Sequence, residues 1–313
     1  MKTVDDHEVL REALTKLTLG SLRQLKGLGV VPLFRFDAAD PDWLTSDESM
    51  AAGALEVTEV SEGGSVPTLR VVNKGDRAVF LLDSEELVGA KQNRILNTSV
   101  LIAAGQTILI PVSCVEQGRW GYRSRAFTST KRSLYASVRR KKAAQVYASL
   151  RSTRRHEADR SQIWVDLAAK ASEHGVQSPT YAMSDVFESR DKDLEAYRRA
   201  FPPEPGQVGA IVYIGSQWWA LELLSGSRLF AKAWERFLPG YAIEALFSSP
   251  EGSPEESPSK RLEAVLRAPL EAFPAVGVGE DYRFRAGDFR GAALVADGRL
   301  AHLMAFPAQV DQT

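Results

Sequence analysis

The sequence predicts an α+β fold, and three features point to it. Short Val-, Ile-, Leu- and Thr-rich runs punctuated by Gly, Asn and Asp fill the first third of the chain. Long stretches with helical spacing and few turn residues occupy the middle, and hairpin patterns mixed with helical ones fill the rest. The resulting division is a β-sandwich-like region over 1–121, a basic helical segment over 122–200 and a C-terminal mixed α/β region over 201–313. At 313 residues the chain exceeds the usual single-domain length and can bury a sizeable core without disulfides.

Taken in order, strands are expected within 17–34 and in ALEVTEV, TLRVVN and AVFLLD, then over 95–102 and 107–115, with turns at Gly63-Gly64 and across 73–76. Ser46 is placed to cap a short helix, SDESMAAG. In SLYASVRRKKAAQVYASLR, helical spacing gathers Leu134, Val138, Ala143 and Val146 opposite the charges. A second helix over 162–173 buries Ile163, Leu167 and Ala171 and stops at Gly175. GAIVYIGSQWWALEL reads as a hairpin with a Gly-Ser turn, and SRLFAKAWERFLPGYAIEALF as a helix broken or kinked at Pro239-Gly240. The Pro-, Ser- and Glu-rich stretch 248–258 is expected to be a flexible, solvated loop. After a helix over 260–270, FRGAALVADGRLAHLMAF forms a hairpin on Asp297-Gly298.

Composition narrows the function classes. Thirty-nine basic against forty acidic residues give a net charge of −1, so no global attraction to nucleic acid or anionic lipid is expected. Cys114 is the single cysteine, which rules out an internal disulfide and fits a reducing compartment. MKTVDDHEVL lacks an apolar signal core, and no run approaches eighteen apolar residues, so the expectation is a cytoplasmic protein without membrane association. His7, His156, His174 and His302 are dispersed and form no paired ligand spacing, which argues against a zinc enzyme. His302, inside an apolar run, reads first as a hydrogen-bonded core residue and second as a strand-borne acid or base. No Walker loop, dinucleotide fingerprint or nucleophile elbow is present.

One stretch stands out. Residues 81–120 crowd acids, amides and bases at the ends of three apolar runs, where a rigid sheet would aim them. Asp83, Glu86 and Glu116, with Glu85 beside them, are of the type that serves as general base, general acid or oxygen ligand for magnesium, provided they converge. Solvated strand-end charge is their bland alternative. Lys91 and Arg94 suit phosphate or carboxylate oxygens, and Gln92, Asn93 and Asn97 suit a sugar, a base or a backbone turn. Gly89 permits close backbone approach. The competing reading is a loop pinned by its own amides. Gln117, Arg119 and Trp120 would bind an anion beside a stacking surface. Cys114 sits on an alternating strand next to an acid, which favours a small buried hydrophobe over a nucleophile.

A basic segment follows directly. Residues 121–160 hold twelve Lys and Arg, beginning with Arg123 and Arg125 and including 139–142, against Glu157 and Asp159 alone. Such an excess calls for acids from elsewhere in the fold, an anionic small molecule, or nucleic acid.

The run LLDSEELVGAKQNRILNTSV followed by PVSCVEQGRW resembles the ARG and rhodanese-phosphatase superfamily associated protein domain, and similarity extends through QIWVDLAAKASEHGVQSPTYAMSDVFES, WERFLPGYAIEAL and LAHLMAF. The resemblance implies a context of ADP-ribose or related phosphorylated metabolites, and it brings no catalytic assignments with it. Two functions are therefore expected, their ligand class being what the resemblance implies and their residue roles what the side chains suggest. One is a hydrolase of a phosphorylated nucleotide or ADP-ribose derivative, in which Glu86 or Glu116 activates water, with or without magnesium, while Lys91, Arg94 and Arg119 hold anionic oxygens. The other is a noncatalytic sensing or assembly module using the same loop, whose acids would be engaged in structural bonds. On the first reading, Asp83, Glu86, Asn93, Arg94, Glu116 and Arg119 meet in one cleft bordered by Arg123, Arg125 and part of 139–142. Sequence leaves the oligomeric state open.

Overall fold

The computed structural model describes residues 6–64, 67–248 and 252–308. In chain order the first half contains α1 (Asp6–Thr15), β1 (Thr18–Leu19), β2 (Arg23–Leu25), β3 (Leu28–Phe34), β4 (Leu44–Thr45), α2 (Ser46–Ala51), β5 (Leu55–Glu59), β6 (Thr68–Asn73), β7 (Val79–Leu81), β8 (Glu85–Gly89), β9 (Arg94–Leu96), β10 (Val100–Ile102), β11 (Thr107–Cys114) and β12 (Phe127–Ser133). The second half contains α3 (Ala136–Thr153), α4 (Arg160–Glu173), α5 (Met183–Ser189), α6 (Asp191–Ala200), β13 (Gln207–Ile214), β14 (Gln217–Leu224), α7 (Ser227–Ala245), α8 (Pro258–Leu266), β15 (Leu270–Pro274), β16 (Glu280–Ala286), β17 (Phe289–Ala296) and β18 (Arg299–Pro307). The class is α+β.

Among the described residues the strands form three sheets. The largest runs β1-β3-β13-β14-β18-β17-β16-β15, with β2 also on β3, so strands from both ends of the chain share one sheet. Its alternating side chains separate two apolar layers. Val31, Leu33, Ile211, Tyr213, Leu221, Leu303 and Ala305 face α1 and α8. Val30, Ala210, Val212, Ala220, Leu294 and Met304 join the core that contains Leu229, Phe230, Trp234 and Phe237 of α7.

A six-stranded sheet, β12-β8-β9-β11-β6-β5, curls until its outer strands meet, Thr58 bridging Ala126. Val57, Leu69, Val71, Leu87, Leu96, Ile110, Val112 and Phe127 fill its interior. The small sheet β10-β7-β4 lies between the two cores. Val79, Leu81, Val100 and Ile102 belong to the curled sheet's core, whereas Phe80, Leu82 and Leu101 belong to that of α7. Period-two alternation thus lets one short sheet serve two layers.

Several expectations change. Thr45 rather than Ser46 caps α2, its N–H donating to the Glu48 carboxylate at 2.9 Å, while the Ser46 hydroxyl goes to Glu85. The strand expected over 95–102 splits at Asn97-Thr98-Ser99 into β9 and β10, which belong to different sheets. β12 occupies residues where helix was expected, and β15 and β16 had no sequence signal, because Asp281 and Arg283 interrupt the apolar pattern yet are buried. Residue 270 starts β15 rather than ending α8. α7 continues through Pro239, and Gly240 lets it approach the chain leading into α3: a Cβ there would lie 3.1 Å from the Leu134 carbonyl. On α3, Arg139 and Lys142 lie on the buried face with Val138, Ala143 and Val146, not opposite it. Of the stretch 248–258, residues 249–251 lie outside the described residues.

α4 follows its pattern, with Ile163, Leu167 and Ala171 buried and Gly175 at φ +65° just past its end. Its N-cap is Asp159, which accepts from the amides of Ser161 and Gln162 at 2.9 and 3.1 Å. Asp159→Ala is expected to lower stability by about 1 kcal/mol, measured by urea unfolding, with an unchanged m-value.

Candidate functional site

The loop after β8 and the loop after β11 are clamped together by one side chain. Arg119 Nε donates to Glu116 at 2.9 Å, one terminal nitrogen reaches the carbonyls of Ala90 and Gly121 at 2.7 and 2.9 Å, and the other reaches Asn93 Oδ1 at 3.0 Å. Gln92 donates to the Glu116 carbonyl at 2.9 Å, and the Asn93 N–H donates to the Glu116 carboxylate at 3.2 Å. Gly89 makes this approach possible: its φ is +127°, and a Cβ there would come within 2.8 Å of the Ala126 carbonyl. Burial pushes the Glu116 carboxyl up, but Arg119, the Asn93 amide and Arg123 more than offset it and hold the group below its ordinary value. Glu116 is therefore a fixed carboxylate, and a weak base.

Beneath the clamp, the polar end of the curled sheet's interior holds Arg94 and Glu59. Arg94 is buried, donates to Gln92 Oε1 at 3.0 Å and stands 3.8 Å from Glu59, opposite Cys114 in the β9–β11 ladder. Both Glu59 oxygens are sealed without a hydrogen-bond partner. Burial raises the Cys114 thiol and so favours its neutral form. Trp120 and Tyr122 cover this end and remain 49% and 53% exposed. Lys91 Nζ lies 5.3 and 5.1 Å from their ring centres and donates to the Gly63 carbonyl at 2.9 Å, while Arg94 lies 5.7 Å from Trp120. Arg123, largely exposed, comes within 3.7 Å of Glu116.

The other predicted residues go elsewhere. Glu85 accepts from the Ser46 and Ser129 hydroxyls and from the Leu82 N–H, with Arg236 3.8 Å away. Glu86 accepts from Thr130 at 3.0 Å, and its second oxygen is sealed without a partner. Burial, opposed by Arg132 and Thr130 and reinforced by Glu188 and Glu116, pushes Glu86 up to about 7. Asn97 is held between the Ser113 hydroxyl and the His156 carbonyl. Gln117 and Arg125 are exposed, and Arg125 acts on Glu56 rather than Glu116. Asp83 stands apart from the expected cleft, in a buried network that sequence reasoning did not assemble.

In that network Lys142 Nζ donates to Asp83 at 2.6 Å, Arg139 lies 3.7 Å from Asp83 and 2.6 Å from Glu222, and Tyr241 donates to Glu222 at 2.5 Å. Burial raises the Asp83 and Glu222 carboxyls, but their cationic neighbours bring both below the ordinary range. Because Glu222 is thereby a carboxylate, His302 Nε2, 3.2 Å away, donates to it, and the ring's Nδ1 lies 2.8 Å from the Ser99 hydroxyl. The chain Ser99–His302–Glu222 has the composition of a hydrolytic triad, yet it is buried and its nearby cavity measures about 10 Å³, room for no more than one water. The basic segment finds other acids too: Lys131 pairs with Glu235, Arg132 with Glu188, Lys141 with Asp166 and Arg151 with Glu271. Among the described residues, no group of three or more His, Cys, Asp or Glu is arranged to hold a metal ion. No helix among them is long and apolar enough to cross a membrane.

A model of the ARG and Rhodanese-Phosphatase-superfamily-associated Protein domain matches residues 16–306. The chain belongs to that family. No curated protein and no solved structure matches it. The family's name links its members to superfamilies that contain hydrolases. In this member, the long motif across 81–120 supplies both the Arg119 clamp and the buried Asp83 pair.

Asp83→Asn leaves Lys142 and part of the charge on Arg139 buried and uncompensated, so unfolding in denaturant should show a loss of about 3–5 kcal/mol. Glu86 has the opposite sign. Its folded pKa of about 7 stands above the ordinary 4.5, so the folded state binds more protons and stability falls as pH rises between those values. Glu86→Gln should flatten that slope and gain up to about 3 kcal/mol on the wild type at pH 8, read from melts across pH 4–8.

Proposed function

We propose that this protein binds an anionic, ring-bearing metabolite of the nucleotide or ADP-ribose class on the loop spanning 116–123. The observation that carries the reading is the half-exposed pair Trp120 and Tyr122, flanked by Lys91 and Arg123 on a loop already immobilised by Arg119. Aromatic faces take a base by stacking, the two cations take phosphate oxygens, and a prefixed loop loses little entropy on binding. The family's association with ADP-ribosylglycohydrolases and phosphatases supports the same ligand class. Because Arg139 and Lys142 are buried and Lys131, Arg132, Lys141, Arg151 and Arg155 already have acids within the fold, a small molecule is favoured over nucleic acid. The unpaired buried thiol fits a cytoplasmic setting.

Engagement of Asp83, Glu85 and Glu116 in structural bonds supports a sensing or assembly role over catalysis. One observation favours hydrolysis as a second reading: burial lifts Glu86 to about 7, which suits a general base or acid at neutral pH, and its unpartnered oxygen, sealed in this structure, would meet a substrate only once the site opens. Glu116 would then orient rather than accept a proton.

Titration of intrinsic Trp fluorescence with ADP-ribose and with adenosine tests the binding reading. Trp120→Ala and Arg123→Ala should each weaken ADP-ribose binding by about tenfold or more, adenosine should bind less tightly, and added salt should narrow that gap. Equal affinity of all three proteins for ADP-ribose would remove the loop from recognition. If ADP-ribose is consumed, Glu86→Gln should abolish turnover while retaining binding; full turnover in that variant would remove Glu86 from the chemistry.

A further inference from the structure

A second pocket, of about 470 Å³, opens where the end of α3 meets the segment following β15. Its walls are apolar, with Leu150, Phe273 and Val276, and two polar side chains line it, Arg154 and His156. It uses no part of the loop at 116–123.

His156 is buried, and its Nε2 lies 2.7 Å from Asp281 Oδ2. Burial raises the Asp281 carboxyl, but Arg283, donating from Nε and a terminal nitrogen at 2.8 and 2.7 Å, together with His156 brings it below its ordinary value. Asp281 is therefore an acceptor only, and His156 Nε2 must donate to it. That leaves Nδ1, which has no protein partner among the described residues, as the ring nitrogen available to an occupant. The arrangement is that of an imidazole whose orientation is fixed by a carboxylate behind it.

Arg154 supplies the charge. It ends α3 in the left-handed region at φ +60°, and its guanidinium lies 5.3 Å from the centre of the Phe273 ring. Among the described residues it has no carboxylate partner, unlike Arg151 on the preceding turn, which pairs with Glu271. An unneutralised guanidinium and an imidazole nitrogen above an apolar wall match one oxyanion on an apolar body. A single fork-shaped donor suits a carboxylate, whereas a phosphate ester would demand more donors than this pocket offers.

We propose that this pocket is a ligand site for small carboxylic acids with an aromatic or branched aliphatic body, Arg154 binding one oxygen edge and His156 Nδ1 the other. With Nε2 donating to Asp281 and Nδ1 to the ligand, His156 bridges two carboxylates.

Benzoate titrated into the full chain, followed by calorimetry and by the ¹⁵N resonances of the His156 ring, tests this. Benzoate should bind saturably and shift Nδ1, and benzyl alcohol should not. Arg154 is exposed, so Arg154→Gln should melt as the wild type does and weaken benzoate by about tenfold or more. Trp120→Ala should bind benzoate unchanged, which separates this site from the proposed nucleotide surface. His156→Gln that melts as the wild type does should also weaken benzoate by about tenfold or more, and unchanged affinity in such a variant would overturn the assignment. No saturable shift at His156, equal affinity in Arg154→Gln, or tighter binding of phenyl phosphate than of benzoate would overturn the assignment.

Discussion

Two buried cations on one helix, Lys142 and Arg139, set the terms for the rest of the molecule. Taking each out of water costs several kcal/mol unless an acid meets it with good geometry. Asp83 comes from the turn between β7 and β8, and Glu222 from the middle of the largest sheet. Tyr241 of α7 and His302 of β18 use the remaining capacity of Glu222. Helix, turn and sheet must therefore all be in register before both charges are neutralised. Apolar packing alone would tolerate small slips at this junction; paired charges do not.

Neighbouring acids of identical chemistry end in different states because their surroundings differ. Glu85 lies among hydroxyls and an amide, Glu86 faces a nearly dry site with one hydroxyl, and Glu116 sits against a guanidinium. Burial raises Glu86, while Arg119 and Arg123 overcome burial at Glu116. Alternation along β8 sends adjacent side chains to opposite faces, so adjacency in sequence says little about shared function.

The legible parts of the fold were those whose signal is local. α4 declares itself through Ile163, Leu167 and Ala171 with a glycine stop, and the hairpin at Asp297-Gly298 through its turn, with φ of +50° and +67°. β16 was hidden because Asp281 and Arg283 look like surface residues until His156 and Thr98 arrive from far along the chain. The buried face of α3 is hidden for the same reason: Arg139 and Lys142 read as solvated when Glu222 and Asp83 are not yet in view. At the candidate site, Gln92, Asn93, Glu116 and Arg119 were legible as a cluster because two short polar stretches flank β9 and β11, which pair directly. The separation of Asp83, Glu85 and Glu86 from that cluster depends on which face each side chain takes, and hence on strand boundaries that sequence places only approximately.

The largest sheet has a consequence for synthesis. β3, complete at residue 34, finds its inner neighbour in β13, which is not complete until residue 214. At about 5–20 residues per second, that partner leaves the ribosome roughly 10–40 s later. During the interval Val30 and Val31, one on each face of β3, have no β13 to pack beside, and of the strands in its own sheet only β1 and β2 are already made. Pro32, a residue that cannot donate a backbone hydrogen bond, lies within the waiting strand and makes it a poorer template for pairing with other chains.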